Sequence, residues 1–356
     1  MKEEIKYLKT LTELNAVPGN EKQVRDFLEK ELTSYSDEVL KDNIGSIVFK
    51  KEGLKDGPKV LISGHMDEVG FMVSEITNEG FIKFIPLGGW WSQVMLSQKV
   101  QITTKKGVVI GVIGSKPPHI LTPEERKTPM DISKMFIDLG VDNKEEAIKL
   151  GVNIGDMITP YMEFAQLGNP KYLLAKAWDN RIGCAIVSEV LKRLKNENHP
   201  NTFYGACTVQ EEVGTRGAQT VGNMINPDIV FAVDVGIGND VPFGDKQGME
   251  LGKGPQILLS DSRLIGHKDL REFVTQVADE LNIPYQLTYL KAGGTDAGAM
   301  HLTNNGSPAI NILIPCRYMH SHTSIIHYDD YLNAVKLIIE VIKRLDYQTI
   351  NTITYN

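Results

Sequence analysis

Five short stretches of the chain carry side chains that hold divalent metals or move protons. The first is Gly64-His65-Met66-Asp67-Glu68. A neutral imidazole at His65 is a good zinc ligand. A carboxylate two residues on, Asp67, could hold the other ring N–H and fix the tautomer. The second is Ala177-Trp178-Asp179-Asn180-Arg181, where Asp179 reads either as a helix N-cap acid or as a carboxylate bridging two metals. The third is Val209-Gln210-Glu211-Glu212-Val213-Gly214. Adjacent glutamates usually mark a solvated surface, but apolar residues precede this pair. One carboxylate can ligate a metal while its neighbour serves as general base. The fourth, Phe231-Ala232-Val233-Asp234-Val235-Gly236, closes an apolar run with an acid. Metal ligation would satisfy that acid, as would an exposed turn beside Gly236. The fifth, Pro315-Cys316-Arg317-Tyr318-Met319-His320-Ser321-His322, offers one imidazole or two. Each stretch is a modest signal. Together, His, Asp, Glu, Asp and His following successive predicted strands match a two-metal site with nitrogen and oxygen ligands.

The elements that position these residues read as follows. Residues 59–65 form an apolar run of strand length, as in a strand buried on both faces of a parallel sheet. Further strands are predicted at 47–49, 203–209, 229–233, 256–259 and 309–314. Helices are predicted after Pro18-Gly19-Asn20, with Asn20 as cap, from Asn180 with Ile182, Ile186, Val190 and Leu194 on one stripe, and at 270–281 and 330–344. From about Gly70 the texture changes to short β-rich pieces punctuated by Gly and Pro, at 80–86, 99–103 and 107–114, with short helices at 122–126 and 144–147. The expected fold class is therefore α/β, a mixed or mostly parallel sheet flanked by helices, interrupted by a small inserted β-barrel or sandwich. The expected division is 1–69 plus 165–356 for the catalytic body and 70–164 for the insert.

Composition bounds the rest. The chain has 356 residues, 42% hydrophobic and 23% charged, with a net charge of −7. That length exceeds a typical single core. The acidic balance disfavours nucleic acid and anionic membrane partners. The N-terminal residues lack the apolar centre of a signal peptide, and no apolar run approaches the ~20 residues that span a bilayer. The three cysteines, Cys184, Cys207 and Cys316, fit neither a disulfide framework nor a Cys-type zinc site, which points to a reducing cytoplasm.

In their order along the chain, His65-Met66-Asp67, Trp178-Asp179-Asn180-Arg181, Glu211-Glu212, Val233-Asp234 and Arg317-Tyr318-Met319-His320-Ser321 resemble the tetrahedral aminopeptidase family of cocatalytic metallopeptidases. Within that family the chain resembles the glutamyl aminopeptidases of lactic-acid bacteria and streptococci. The resemblance runs nearly end to end, insert included. It implies a phosphorylase/hydrolase-like core and two divalent ions per subunit, zinc or cobalt, with manganese also suited to such ligands. Asp179 would bridge the ions, and His65, Glu212, Asp234 and His320 would be terminal ligands. Glu211 would be the general base, and Asp67 would orient His65. The implied substrates are short peptides with a free N-terminus, acidic residues first among them. The implied assembly is a homododecamer with dimer contacts through the insert.

An acidic first residue needs a cation in its pocket. Arg263 is the first choice, against a surface ion pair with Asp261; Lys268 and Lys291 follow. The Ala292-Gly293-Gly294-Thr295-Asp296 loop is expected to line the same pocket. Trp90-Trp91 reads either as an interface anchor or as a buried pair. Two other readings share the ligand set: a deacylase or peptidase of different specificity, and a non-enzymatic metal-binding assembly protein. A base beside a ligand, Glu211 beside Glu212, speaks against the last.

Overall fold

The computed structural model describes residues 2–54 and 56–354. Its main sheet has eleven strands. Four central ones run parallel, in the spatial order Thr202–Thr208, Lys59–His65, Ile229–Ile237 and Ala309–Arg317. Antiparallel strands complete both sides: Ile47–Glu52 beyond Thr202–Thr208, and Ser324–His327 then Tyr172–Ala175 beyond Ala309–Arg317. Helices cover the sheet. Trp178–Leu194 and Tyr328–Ile342 share one large apolar core, which takes in Ile62, Phe203, Phe231, Ile312, Ile186 and Ile338. The opposite face packs a smaller cluster, Leu61, Ala206, Val221, Val230 and Met300. The central strands are covered on both faces, so they read as continuous apolar runs rather than alternating ones.

Between His65 and the Tyr172–Ala175 strand, the chain leaves the sheet and closes a six-stranded antiparallel barrel. Its strands are Gly70–Ile76, Ile82–Leu87, Lys99–Thr104, Gly107–Gly114, Phe136–Asp138 and Met157–Pro160. The barrel has its own interior, including Phe71, Ile82, Val100, Ile102, Ile113, Ile137 and Ile158. Among the described residues, no helix is long and apolar enough to cross a membrane.

Two local expectations change. The helix Lys22–Leu32 is preceded by Glu21, not Asn20, at its N-cap, and no side chain caps it. The Glu21 carboxylate instead accepts the backbone N–H groups of Gly19 and Gln210, which ties the first turn to the loop carrying Glu211. Asp234 stands within a strand rather than in a turn: Ile229–Ile237 continues past it, and Asp234 is 6% exposed.

Candidate active site

The parallel strands deliver the chemical groups at their C-terminal ends, where open α/β sheets bind ligands. His65 is the last residue of its strand, and Glu211 and Glu212 follow the Thr202–Thr208 strand. Asp234 lies near the end of the neighbouring strand, and His320 lies in the loop after Ala309–Arg317. Asp179 comes from the turn that opens the long helix. Its φ and ψ of −76° and 104° are not helical. Capping falls to Asn180, whose Oδ1 accepts the Gly183 N–H at 2.9 Å while its amide donates to the Val233 carbonyl at 2.8 Å. A Cβ at Gly183 would lie 2.3 Å from Asn180 Oδ1. With Asn180 capping, the Asp179 carboxylate is left for the site.

These side chains converge. His65 Nε2 lies 3.1 Å from Asp179 Oδ1, 3.8 Å from Asp234 and 3.8 Å from Glu211. His320 Nε2 lies 3.3 Å from Asp179 Oδ2 and 3.5 Å from Glu212 Oε2. Asp179 thus turns one oxygen to each imidazole. Two sets of three ligand atoms follow, His65–Asp179–Asp234 and Asp179–Glu212–His320, with Asp179 common to both.

Both imidazoles are set in one tautomer by backbone. His65 Nδ1 donates to the Asp67 carbonyl at 3.0 Å, and His320 Nδ1 donates to the Gly89 carbonyl at 2.8 Å. Each Nε2 lone pair then faces the centre, as metal-binding histidines require. The Asp67 carboxylate, expected to hold His65, sits farther off, at 3.5 Å. Its oxygens are taken up by the N–H groups of Glu211 and Glu212, each at 3.1 Å. Asp67 is fully buried and clamps the turn that carries Glu211 and Glu212.

A second buried group supports this one. Glu68 Oε1 accepts from Lys176 at 2.6 Å and from Arg181 at 3.1 Å, and Arg181 also donates to the carbonyls of Met66, Leu11 and Leu14. All three charged groups are almost fully buried. Removing Glu68 would strand two cations in the interior, a loss of about 3–5 kcal/mol. This ties the His65 segment to the base of the Asp179 helix.

The cage is strongly anionic. Burial pushes the Glu211 and Asp234 carboxyls well above the usual carboxylate range. Burial, aided by Asp179, raises Glu212 to about 8. Asp179 goes the other way: hydrogen bonds with His320 and His65 outweigh the opposing effect of burial. His320 rises to about 10 through Asp179 and Glu212, again against burial. Crowded carboxylates holding protons, next to imidazoles that attract them, are what an anionic cage shows when it needs cations. Glu212 Oε1 is buried and has no hydrogen-bond partner among the described residues. The nitrogen and oxygen donors, the shared Asp179 and this orphaned oxygen all fit two divalent ions.

The comparisons with known proteins agree with this geometry. The family model for M42 glutamyl aminopeptidase matches residues 45–337. The chain belongs to the M42 family. Its fold superposes on a TET aminopeptidase from the marine sediment archaeon Thaumarchaeota archaeon SCGC AB-539-E09 with a TM-score of 0.96, at 44% identity and over 99% of both chains. It superposes on the Pyrococcus horikoshii TET1 peptidase, which can assemble into a tetrahedron or a large octahedral shell, with a TM-score of 0.85, at 31% identity over 96% of this chain and 100% of that one. Among curated relatives, a glutamyl aminopeptidase of Lactococcus lactis is 38% identical over 95% of this chain and 96% of its own length. A lysyl aminopeptidase of Pyrococcus furiosus is 31% identical over 96% and 98%. The chain is thus an aminopeptidase of a metal-dependent M42 type. Relatives named for opposite substrate charges leave its specificity to the cavity itself.

That cavity, of about 480 Å³, is lined by Asp179, Glu211, Glu212, Asp234 and His320, and on its far side by Arg263 with the 292–295 loop. The Arg263 guanidinium donates to Thr215 Oγ1 at 3.0 Å. No carboxylate among the described residues lies within ion-pair distance of it. Asp261, the partner weighed for it, accepts the backbone N–H groups of Arg263 and Leu264 and the Asn311 amide instead. The Arg263 side chain lies across Gly294 and Gly298, where added Cβ atoms would meet it at 2.9 and 2.7 Å. Lys268 pairs with Glu272 on an exposed helix face, and neither it nor Lys291 lines the cavity. Trp90 and Trp91 separate: Trp90 stacks on Phe71 with ring centroids 4.6 Å apart, while Trp91 is 60% exposed.

Three further residues contribute in ways that the motifs containing them did not specify. Gly89 acts through its carbonyl, Asn180 through its cap, and Asp296 is a buried acid that accepts from Thr208 at 2.6 Å. The Gly-rich context of Asp296 is the one signal that could have drawn notice to it.

Proposed function

We propose that this chain removes N-terminal residues, acidic ones foremost, from short peptides, using two divalent ions and Glu211 as general base. The observation that carries this reading is Asp179 presenting one oxygen to each of two imidazoles, with Glu211 beside them. His65, Asp179 and Asp234 would hold one ion, and Asp179, Glu212 and His320 the other. Ions bound there supply an acidified water and polarise the scissile carbonyl. Zinc or cobalt suits these donors.

The protein's own part is proton handling and positioning. The Glu211 carboxylate takes a proton from the attacking water. Burial favours its protonated form, so it retains that proton long enough to pass it to the leaving amine. Asp67 holds the Glu211 and Glu212 backbone, which fixes the base relative to the ligands. The carboxylate wall attracts the free α-amine of the substrate, which favours exopeptidase over endopeptidase cleavage.

Arg263, in the same cavity and without a carboxylate partner, is the proposed anchor for an acidic first side chain. Its Thr215 contact and its glycine bed aim the guanidinium, and a planar fork suits a carboxylate.

For the whole chain, 1–69 and 165–356 are proposed as the catalytic body and 70–164 as the unit of subunit contact. The exposed apolar residues Val108, Ile110 and Val112, on one face of one barrel strand, support self-association there. A homododecamer is the proposed assembly, in line with the shell-forming relative. Three buried free cysteines fit a reducing cytoplasm.

The test is hydrolysis of Glu-, Asp-, Leu- and Lys-p-nitroanilides by chelated and metal-reloaded protein. Metal-dependent release from Glu and Asp substrates is expected, and Arg263→Ala should erase that preference. A Lys or Leu preference would sink the Arg263 assignment. Cleavage of N-acetylated substrates alone would replace the aminopeptidase reading with a deacylase.

A further inference from the structure

A second cavity, of about 690 Å³, opens on the other side of His320. It shares Gly89, Met319 and His320 with the first. The His320 imidazole, with Gly89 and Met319, thus borders both. Its character differs: the first cavity is walled by carboxylates and Arg263, while the second is walled by Trp90, Trp91, Tyr318, Met319 and Val94. Among the described residues, no carboxylate, lysine or arginine lines it. Trp91 and Tyr318 are 60% and 56% exposed, so two large rings stand open to an arriving group.

One polar group is set deep in this wall. His322 is 4% exposed, and neither ring nitrogen has a hydrogen-bond partner among the described residues. Its ring lies 5.3 Å from that of Trp90. A buried imidazole left without partners loses stability unless something else satisfies it.

Resting on the proposed aminopeptidase reaction, we propose that this cavity binds the side chain of the substrate's second residue and selects aromatic ones. The geometry of the reaction forces the placement. With the scissile carbonyl at the ligands, the first residue occupies the Arg263 side. The residue that leaves must extend past His320, and the second cavity is what it meets. A flat apolar side chain stacks among Trp90, Trp91 and Tyr318. A phenol hydroxyl reaching the wall pairs with His322, which sets tyrosine above phenylalanine. The occupant is thus a peptide beginning with an acidic residue followed by Tyr or Phe.

The experiment measures release of free glutamate from Glu-Tyr, Glu-Phe, Glu-Ala and Glu-Glu amides by metal-loaded protein. Expected kcat/KM values for Tyr and Phe exceed that for Ala by about 10-fold or more, the scale of one well-filled pocket. Trp91→Ala, at an exposed position that folding does not need, should bring Phe and Ala within about 3-fold of each other. His322→Phe should erase the margin of Tyr over Phe. Equilibrium binding to the Glu211→Gln variant, read by tryptophan fluorescence, should rank the peptides in the same order. Equal rates for all four amides by an active enzyme would overturn this inference and leave the aminopeptidase reading standing. A Phe-over-Ala ratio untouched by Trp91→Ala would also overturn it. No glutamate released from any amide by fully loaded protein would overturn both.

Discussion

His65 and His320 present the same atom to the same carboxylate, with opposite support. His65 is 1% exposed, ends a central strand, and donates its N–H to a carbonyl two residues along its own chain. His320 is 39% exposed, sits in an irregular loop, and donates to Gly89, 231 positions away. Gly89 belongs to the inserted barrel, just beyond the Ile82–Leu87 strand. The inner half of the site is therefore built by the sheet and the opening turn of the Trp178–Leu194 helix, and the outer half depends on how the insert docks. Rigid central strands place ligands precisely enough without help; a loop ligand needs an outside clamp. The insert, expected from sequence to make subunit contacts, has a second role inside the subunit.

The strongest test of this division is Asp179→Asn. Asp179 belongs to both halves, so both ions should be lost together and activity should fall to that of metal-free protein, read by metal analysis and rate. Retention of one ion would break the picture of a shared carboxylate. Glu211→Gln should lower kcat by about 10²–10⁴-fold while both ions remain bound. Loss of an ion in that variant would make Glu211 a ligand rather than the base.

Proton linkage comes next. Without metal, Glu212 titrates near 8, so below that pH an incoming cation must expel its proton. Affinity for the outer ion should weaken by about tenfold per pH unit between about 10 and 8, where the His320 proton must leave, and more steeply below about 8, where the Glu212 proton must leave as well. Asp234, also pushed up, gives the inner ion the same sign. Isotherms taken on either side of that pH, showing no change, would contradict the crowding of carboxylates. The smallest effect is the most discriminating. A Cβ at Gly89 would lie 3.1 Å from His320 Nδ1, close enough to ease the clamp away by a few tenths of an ångström. Gly89→Ala should weaken the outer ion by about tenfold, the low end for loss of such a support, and leave the inner ion unchanged. Equal weakening of both would mean that the two halves are not separately supported.

Much of this was legible in the residue order, for physical reasons. Buried parallel strands are continuous apolar runs, and ligands sit just beyond their ends. The Lys59–His65 strand and the groups after the others could be placed accordingly. The barrel showed itself as a change to short, Gly-punctuated strands. What escaped depends on distance or context. The Arg216–Ile225 helix holds two glycines and starts among Gly and Thr, so its propensity is poor; packing of Ala218, Val221 and Ile225 makes it. Asp67 was read as the partner of the imidazole beside it; its carboxylate lies 3.5 Å from that ring, and it also reaches across to residues 211 and 212, which spacing does not reveal. Nothing in spacing reveals a clamp between Gly89 and His320, because the bond joins two loops that only the finished fold brings together.

That bond also sets an order of events during synthesis. The barrel and the inner group of His65, Asp179 and Asp234 emerge from the ribosome well before residue 320, and the second imidazole follows them. Until it docks on an already closed barrel, the outer ion has no complete seat. A chain made only as far as Asp234 therefore carries one half of the site and lacks the other.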